Sequence, residues 1–433
     1  MALNYIWAAF FLVAFVVALI KLIFFQDTQV FPALLAATFD KAKTGFEISL
    51  YLTGVMSLWL GLMKVGERGG MVPILARLVG PFFSRLFPSV PKDHPAAGSI
   101  IMNFSANILG LDNAATPLGL KAMDQLQELN PDKETASDAQ ITFLVLNTSG
   151  LTIIPLSVIA DRVALSSTNP TSIFVPTLIA TFCSTLVGLL YLSWRQKIKL
   201  FDPVLLAYVV GFTAFVAGAV WYFTSLSKEA LQVQSNLISS VIIIVIVVSF
   251  IVLGLWRKIP VFETFIDGAK EGFVTSVKII PYLVAMLVGI GVFYSSGAMD
   301  FIVEGLRRLV ALTGANTEFV DAMPVAFMKP LSAQTARGMM IAISEKFGVD
   351  GFVGNLASIL RGCTETTFYI LALYFGSVNI RRTRYALSAG LIADASGIIA
   401  AIWVAYLFSI NLYIPDSTPP QPINFICFNG QTG

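Results

Sequence analysis

The sequence is poor in charged residues. Only 12% of its 433 residues are Asp, Glu, Lys or Arg, whereas 56% are hydrophobic; a soluble domain carries about 25% charged residues. This shortage excludes an ordinary soluble protein and indicates an integral membrane protein in contact with a lipid bilayer. The formal net charge of +2, without a long Lys/Arg cluster, also argues against a nucleic-acid partner.

Residues that ligate metals or carry out catalysis are scarce as well. The single histidine, His94, lies in a charged stretch and is interpreted as an interfacial loop residue rather than a ligand or base. Cys183, Cys363 and Cys427 are too far apart to indicate a zinc site or a disulfide framework. The sequence contains no phosphate-binding loop, dinucleotide fingerprint or nucleophile elbow. We therefore expect no enzymatic activity, no metal and no cofactor, apart from H⁺ or Na⁺ as a coupling ion.

The sequence contains many long apolar stretches. Their lengths predict roughly nine membrane-spanning helices, the first of them an uncleaved anchor. The predicted spans are Asn4 to Phe25, Phe46 to Lys64, Ile141 to Ala160, Ser172 to Trp194, Pro203 to Phe223, Leu237 to Leu255, Phe273 to Tyr294, Phe352 to Phe375 and Tyr385 to Phe408. Residues 70–87 and 301–312 are amphipathic and are predicted to lie in the membrane interface.

Two parts of the chain share one order of elements: a span, an amphipathic helix, a polar hairpin, an interrupted span and a final span. They also share a short pattern, Ala42-Lys43-Thr44-Gly45-Phe46 in one and Ala269-Lys270-Glu271-Gly272-Phe273 in the other. This predicts an internal repeat. The predicted regions are an anchor helix at 1–40, a first module at 41–200, two linker helices at 201–260, a second module at 261–412 and an irregular tail at 413–433.

The basic residues predict the orientation of these modules. Placing the N-terminus in the cytoplasm puts most of the loop Lys and Arg on the cytoplasmic side. With re-entrant hairpins, the first module then begins outside and the second inside. The predicted fold is an all-α polytopic membrane protein made of two inverted repeat modules. Each has a re-entrant or broken-helix hairpin and an amphipathic helix, and inverted repeats of this kind are common in carriers.

The two hairpins are unusually polar for apolar surroundings. Residues 103–121 and 322–347 carry amides, hydroxyls and charges beside Pro117 and Pro330, a composition typical of broken helices that line a wet cavity. The alternative is that these groups only join helices together. The candidate substrate-binding residues are Asn103, Asn107, Asp112, Asn113, Thr116, Lys121, Asn147, Ser149, Lys329, Ser332, Gln334, Thr335, Thr364, Glu365 and Thr366.

Three carboxylates fall at predicted membrane depth: Glu365, Asp394 and Asp112. Such groups cost about 2.5–3.5 kcal/mol on insertion scales and are usually functional. We identify all three as candidates for ion coupling, through either a proton or Na⁺. The alternative for Glu365 is a structural ion pair with Arg361, one helical turn away.

Several of these stretches resemble a known family. Residues 107–123 resemble the signature of spore maturation protein A. Residues 329–332, 352–358, 362–369 and 390–399 resemble spore maturation protein B. Both halves are similar to the nucleoside-recognition, or Gate, family, which is itself similar in part to concentrative nucleoside transporters and to the membrane part of ferrous-iron transporter B. The resemblance implies a bacterial membrane protein with paired Gate modules, but no particular substrate.

The leading hypothesis is a secondary transporter of a small polar solute, nucleoside-like as the first choice. It would work by alternating access in the bacterial inner membrane, with both hairpins lining one chamber. The alternatives are a scaffold or sensor for the cell envelope or for spore maturation, and the handling of lipid-linked precursors. A homo-oligomer is compatible with the sequence, which leaves the oligomeric state open.

Overall fold

The protein is an all-helical membrane protein. The computed structural model describes residues 2–91, 93–108, 112–152, 155–198, 202–224 and 228–409. Within these residues there is no strand, only an isolated bridge between Thr135 and Arg382. Six helices in this part of the chain are long and apolar enough to cross a membrane. The predicted all-α polytopic architecture is therefore confirmed.

Seventeen α-helices and one short 3₁₀ helix, Glu318–Ala322, make up the described fold. The helices are α1 (Ala2–Phe25), α2 (Val30–Arg68), α3 (Met71–Leu86), α4 (Pro95–Ile108), α5 (Asp112–Glu128), α6 (Asp138–Ser149), α7 (Leu156–Ala164), α8 (Phe174–Gln196), α9 (Pro203–Thr224), α10 (Lys228–Trp256), α11 (Val261–Ser295), α12 (Ala298–Ala311), α13 (Met323–Met328), α14 (Ala333–Phe347), α15 (Phe352–Gly362), α16 (Thr367–Ser377) and α17 (Ala386–Ser409).

Helices α2 and α11 extend well beyond their apolar parts. α2 has 39 residues, about 58 Å at 1.5 Å per residue, which exceeds the hydrocarbon core of a bilayer. The charges of Asp40, Lys41 and Lys43 predict a short connection between the first two spans, and this prediction is wrong, because all three residues lie inside α2. The charges there do not end the helix, since Lys41 forms an ion pair with Glu345 of α14 (2.7 Å).

Two of the predicted spans are broken where the sequence predicted an interruption. The first consists of α6 and α7: α6 ends at Gly150, which caps it in the left-handed conformation (φ 54°), and Pro155 precedes α7. The second consists of α15 and α16, separated by residues 363–366. The polar hairpins are the pairs α4–α5 and α13–α14. The helices α4, α5, α13 and α14 have 14, 17, 6 and 15 residues, so each is shorter than the roughly 20 residues of a spanning helix.

The helices that open the two predicted modules, α2 and α11, pack closely and antiparallel. Gly45 of α2 faces Val284 of α11, and Gly272 of α11, which holds the same place in the shared five-residue pattern, faces Ser57 of α2. The final spans, α8 and α17, are also antiparallel, since Ser184 of α8 faces Gly397 of α17, whereas the later Tyr191 lies 3.3 Å from the earlier Ser388. These contacts support the inverted relation of the modules, which stays a prediction.

Packing between α2 and α11 tolerates no side chain at Gly272. A Cβ atom there would lie 2.6 Å from the carbonyl oxygen of Met56, so Gly272→Ala should force the helices apart and lower the free energy of unfolding by about 1–3 kcal/mol. Gly54→Ala is the matched control: Gly54 lies in α2 with nothing within 4 Å of its Cβ position. Thermal unfolding in detergent, followed by size-exclusion chromatography, should separate the variants; equal midpoints would contradict the close packing.

Candidate functional site: a polar cavity beside the second hairpin

A cavity of about 260 Å³ lies among α2, α7, α11 and the broken segments of the second half. Met56, Trp59, Leu60 and Met63 of α2 form an apolar wall. The opposite wall is polar. Its polar residues are Thr152, Ser157, Thr275, Lys329, Gln334, Arg337, Arg361, Thr364 and Glu365. The cavity therefore combines an apolar surface with convergent polar groups, as small-molecule sites do.

The break between α13 and α14 supplies one side of the polar wall. Pro330 prevents a continuous helix, and the N–H of Ser332 donates to the carbonyl of Met328 (2.8 Å). Ser332 then caps α14, because its hydroxyl accepts from the N–H of Thr335 (3.2 Å). α14 thus begins at the cavity, and its first two residues, Ala333 and Gln334, line it.

The break between α15 and α16 supplies the other side. Its backbone is bonded to both neighbouring breaks: the N–H of Glu365 donates to the carbonyl of Thr148 (2.8 Å), and that of Phe368 to the carbonyl of Pro330 (3.1 Å). Irregular backbone at membrane depth requires such partners. The Glu365 side chain is exposed to the cavity and makes no ion pair or hydrogen bond with the described residues. The ion pair that Arg361 forms among the described residues is with a different acid.

That acid is Asp161 of α7, which is fully buried. Its Oδ1 atom accepts from Nε of Arg337 at 2.8 Å, and Nη2 of Arg337 also contacts it. Its Oδ2 atom lies 3.0 Å from Nη1 of Arg361. One carboxylate therefore holds the arginines of α14 and α15 at the cavity wall, joining the first half of the chain to two segments of the second.

The neighbouring Arg162 is buried too and ties the same helix to the loop before α15. Its guanidinium donates to Asp350 (2.8 Å) and to the carbonyl of Val349 (2.9 Å). Burial by itself would raise the pKa of Asp350, but hydrogen bonds from Ser167 and Thr168 and the charge of Arg162 hold that pKa below its ordinary value. Arg162 is therefore a structural cation with its own anion, and it does not line the cavity.

The amides of the first hairpin bond mainly to one another. Nδ2 of Asn107 donates to Oδ1 of Asn147 (2.8 Å) and to Oδ1 of Asn103 (3.3 Å), and Asn103 donates to the carbonyl of Ala115 (2.7 Å). The hydroxyl of Tyr374 lies 3.5 Å from Oδ1 of Asn147. This cluster fits the alternative in which polar groups join helices.

Among the described side chains of the first hairpin, none lines the cavity beside the second, since the amides are paired and Lys121 is exposed elsewhere. One chamber lined by both hairpins stays a prediction. Ser149 is buried and donates to the carbonyl of Leu146. The side chains of Asp112 and Asn113 lie outside the described part of the chain.

The remaining candidates lie at or behind the polar wall. Thr335 is buried against Met286 of α11, and Thr366 is buried beside the break. Asp394 of α17 is 2% exposed, and its Oδ2 atom accepts from Thr367 (2.7 Å). Its Oδ1 atom has no hydrogen-bond partner among the described residues, and neither have the hydroxyls of Thr364 and Thr366.

Sequence reasoning missed Asp161, Trp59 and Met56. Asp161 directly follows the predicted span Ile141 to Ala160, and Met56 and Trp59 lie inside the predicted span Phe46 to Lys64. The adjacent opposite charges of Asp161 and Arg162, directly after an apolar stretch, were the available signal. They indicate two separate pairings, because neighbouring helical residues point in different directions.

Comparison with known proteins identifies the relatives of this chain. A family model described as nucleoside recognition, named Gate, matches residues 49–165 and 276–381. Spore maturation protein A of Bacillus subtilis (strain 168) is 43% identical over 199 residues, which is 45% of this chain and 98% of that protein. Spore maturation protein B of the same organism is 41% identical over 172 residues, which is 40% of this chain and 95% of that protein. The pair fits a fused A/B protein, as the sequence resemblance predicted.

Asp161 should be essential to the stability of the cavity wall. Asp161→Asn leaves Arg337 and Arg361 without their shared anion, so we expect a loss of about 3–5 kcal/mol in the free energy of unfolding. Asp300→Asn is the control, because the Asp300–Lys346 pair is exposed and such pairs contribute little. Thermal unfolding of both variants in one detergent checks this; an unchanged midpoint for Asp161→Asn would contradict the role of the triad.

Proposed function

Because this chain belongs to the nucleoside-recognition (Gate) family, we propose that it is a secondary transporter of a small polar solute, nucleoside-like as the first choice. The solute binds in the cavity beside the second hairpin and crosses by alternating access. The proposal assigns no catalysis to the protein, and it places the chain in the bacterial inner membrane with a cytoplasmic N-terminus. The observation that carries it is the polar cavity itself, built from broken helices inside a multi-pass membrane protein.

Broken helices at a polar cavity are the usual site of substrate binding in secondary transporters. Here three breaks meet: those between α6 and α7, between α13 and α14, and between α15 and α16. A protein that only needed stability would not break three segments at one place, because each break exposes backbone groups that lipid cannot satisfy. The cavity volume of about 260 Å³ suits a small solute.

The two hairpins are held differently, which supports alternating access. Gly338 of α14 lies against Met286 and Ile290 of α11, whereas Gly119 of α5 lies against Tyr374 of α16 and Asn103. If the modules are repeats, one hairpin is closed on its neighbours while the other borders a cavity. A carrier that opens to one side at a time requires such a difference between its two hairpins. If the first hairpin opened and the second closed, the cavity would open to the other side of the membrane.

Asp394 is the best candidate for the residue that binds the coupling ion. Its unpartnered Oδ1 atom and the unpartnered hydroxyls of Thr364 and Thr366 are buried oxygens near the cavity wall. Gly397, one turn along α17 from Asp394, packs against Thr364, which lines the cavity. A proton on the carboxyl or a bound Na⁺ would each satisfy these oxygens. Uptake driven by a pH gradient or by a Na⁺ gradient distinguishes the two.

The handling of a lipid-linked precursor is the second candidate, and one observation favours it. An apolar groove of about 260 Å³ lies among α3, α4, α8 and α9, lined by residues such as Phe82, Phe104, Phe182 and Phe212. An acyl chain would fit such a groove. Precursor handling does not explain the polar cavity, so we rank this hypothesis below solute transport.

Transport should depend on Glu365. In proteoliposomes containing the full chain and a panel of labelled small solutes, nucleosides included, at least one solute should show saturable uptake. Glu365→Gln should reduce that uptake at least about tenfold, because it removes the one acid among the cavity-lining residues. Glu47→Gln, at an exposed acid paired with Lys43 on the surface of α2, should leave uptake unchanged.

The absence of saturable uptake for every solute would count against a carrier and favour a membrane scaffold or sensor. Equal uptake by the Glu365→Gln and Glu47→Gln variants would instead remove Glu365 from the mechanism. Size-exclusion profiles of both variants establish that each is folded before reconstitution.

A further inference from the structure

We propose that the transported solute carries an anionic group, a phosphate or a carboxylate, and that Lys329 and the N-terminus of α14 bind it. The inference rests on the proposed transport function and narrows its substrate class. A neutral nucleoside would lack the group that this part of the cavity is built to bind.

Lys329 is the first observation. Its side chain is 6% exposed, and it lines the cavity at the end of α13. No acid in the described residues forms an ion pair with its ammonium group, although Asp394 interacts with it electrostatically, and no hydrogen bond to its side chain is found there. A buried ammonium is expensive without an acceptor, since it has three donors and no lone pair. The cavity is the side from which an acceptor can reach it.

The N-terminus of α14 is the second, independent observation. Ser332 caps the N–H of Thr335, and the carbonyl of Ser332 accepts from Ala336. The N–H groups of Ala333 and Gln334 have no hydrogen-bond partner among the described residues, and both residues line the cavity. A 15-residue helix directs the positive end of its dipole at this point. Free N–H groups together with that dipole form an anion site.

The balance of charge around the cavity agrees with these two features. Lys329, Arg337 and Arg361 line the cavity, and Glu365 is the acid among the lining residues. Behind the wall, Asp161 pairs with the two arginines, and Asp394 interacts with Lys329 without an ion pair. The surface that a ligand meets is therefore richer in cations than in acids, which favours an anionic ligand.

Glu365 then gives the ligand a direction. Its carboxylate lines the same cavity without a partner in the described chain, and it accepts hydrogen bonds only. A ligand whose anionic end meets Lys329 would place hydroxyl, amide or ammonium donors towards Glu365. The apolar wall of α2, with Trp59, offers a flat surface for the body of the molecule.

Calorimetric titration of the purified full-length protein tests the anion site with three matched pairs of probes. The pairs are uridine and uridine 5′-monophosphate, glycerol and glycerol 3-phosphate, and succinamide and succinate. The anionic member of at least one pair should bind, and its neutral partner should bind at least about tenfold more weakly, because hydrogen bonds to charged groups are the stronger ones. The phosphate and succinate arms distinguish the two anionic groups, and inorganic phosphate should compete if the group is a phosphate.

Variants then assign the binding to Lys329. Lys329→Gln should weaken anion binding at least about tenfold, and Lys329→Arg should restore part of it. Lys43→Gln, at an exposed lysine on the surface of α2 away from the cavity, should have no effect. If Lys329→Gln does not fold, the comparison of matched pairs and the phosphate competition on the unaltered protein still decide the question.

The outcomes separate this proposal from the transport function. Uptake of neutral members by proteoliposomes, without binding of any anionic one, overturns the anion site and leaves transport standing. Lys329-dependent anion binding without uptake supports the site and counts against transport. Equal affinities within every pair, unchanged binding in Lys329→Gln, or no binding of any member overturns the anion site.

Discussion

The cavity depends on a buried carboxylate shared by two arginines. Asp161 has no exposed surface, and its two oxygens contact Arg337 and Arg361 from different broken segments. Removing this carboxylate would leave two guanidinium groups without their shared anion. The triad therefore joins three short helices, α7, α14 and α15, at the cavity wall. It also keeps the guanidinium groups at the wall, where a ligand can reach them.

Long helices give these broken segments a rigid support. α2 and α11 approach each other through glycines, and the stem of Lys64 crosses Gly268 while that of Lys41 crosses Gly291. In both contacts the lysine belongs to α2 and the glycine to α11, so α11 leaves space for the side chains of α2. Lys41 also reaches Glu345 of α14. The second hairpin is therefore attached to the support at one end and to Asp161 at the other.

Local features of the fold could be predicted from the sequence because their causes are local. Gly150, Pro155 and Pro330 lie at helix breaks, where glycine and proline are favoured, and apolar length predicts spans. The partners of the polar groups could not be predicted in this way. Asp161 and Arg337 are 176 positions apart, and no periodicity connects them. The connection at residues 40–43 was predicted wrongly for a similar reason, since Lys41 forms an ion pair with Glu345 of a distant helix.

The two hairpins were predicted to be equivalent, but they differ in the structure. The difference follows from the chemistry of their side chains. Asparagine carries both donors and an acceptor, so Asn103, Asn107 and Asn147 can satisfy one another and close the first hairpin. Lys329 and Arg337 carry donors only, so they can never satisfy each other. Each needs an acceptor from elsewhere: Arg337 has Asp161, whereas Lys329 faces the cavity. A hairpin rich in amides can therefore pack shut, while one rich in cations keeps a place for an anion.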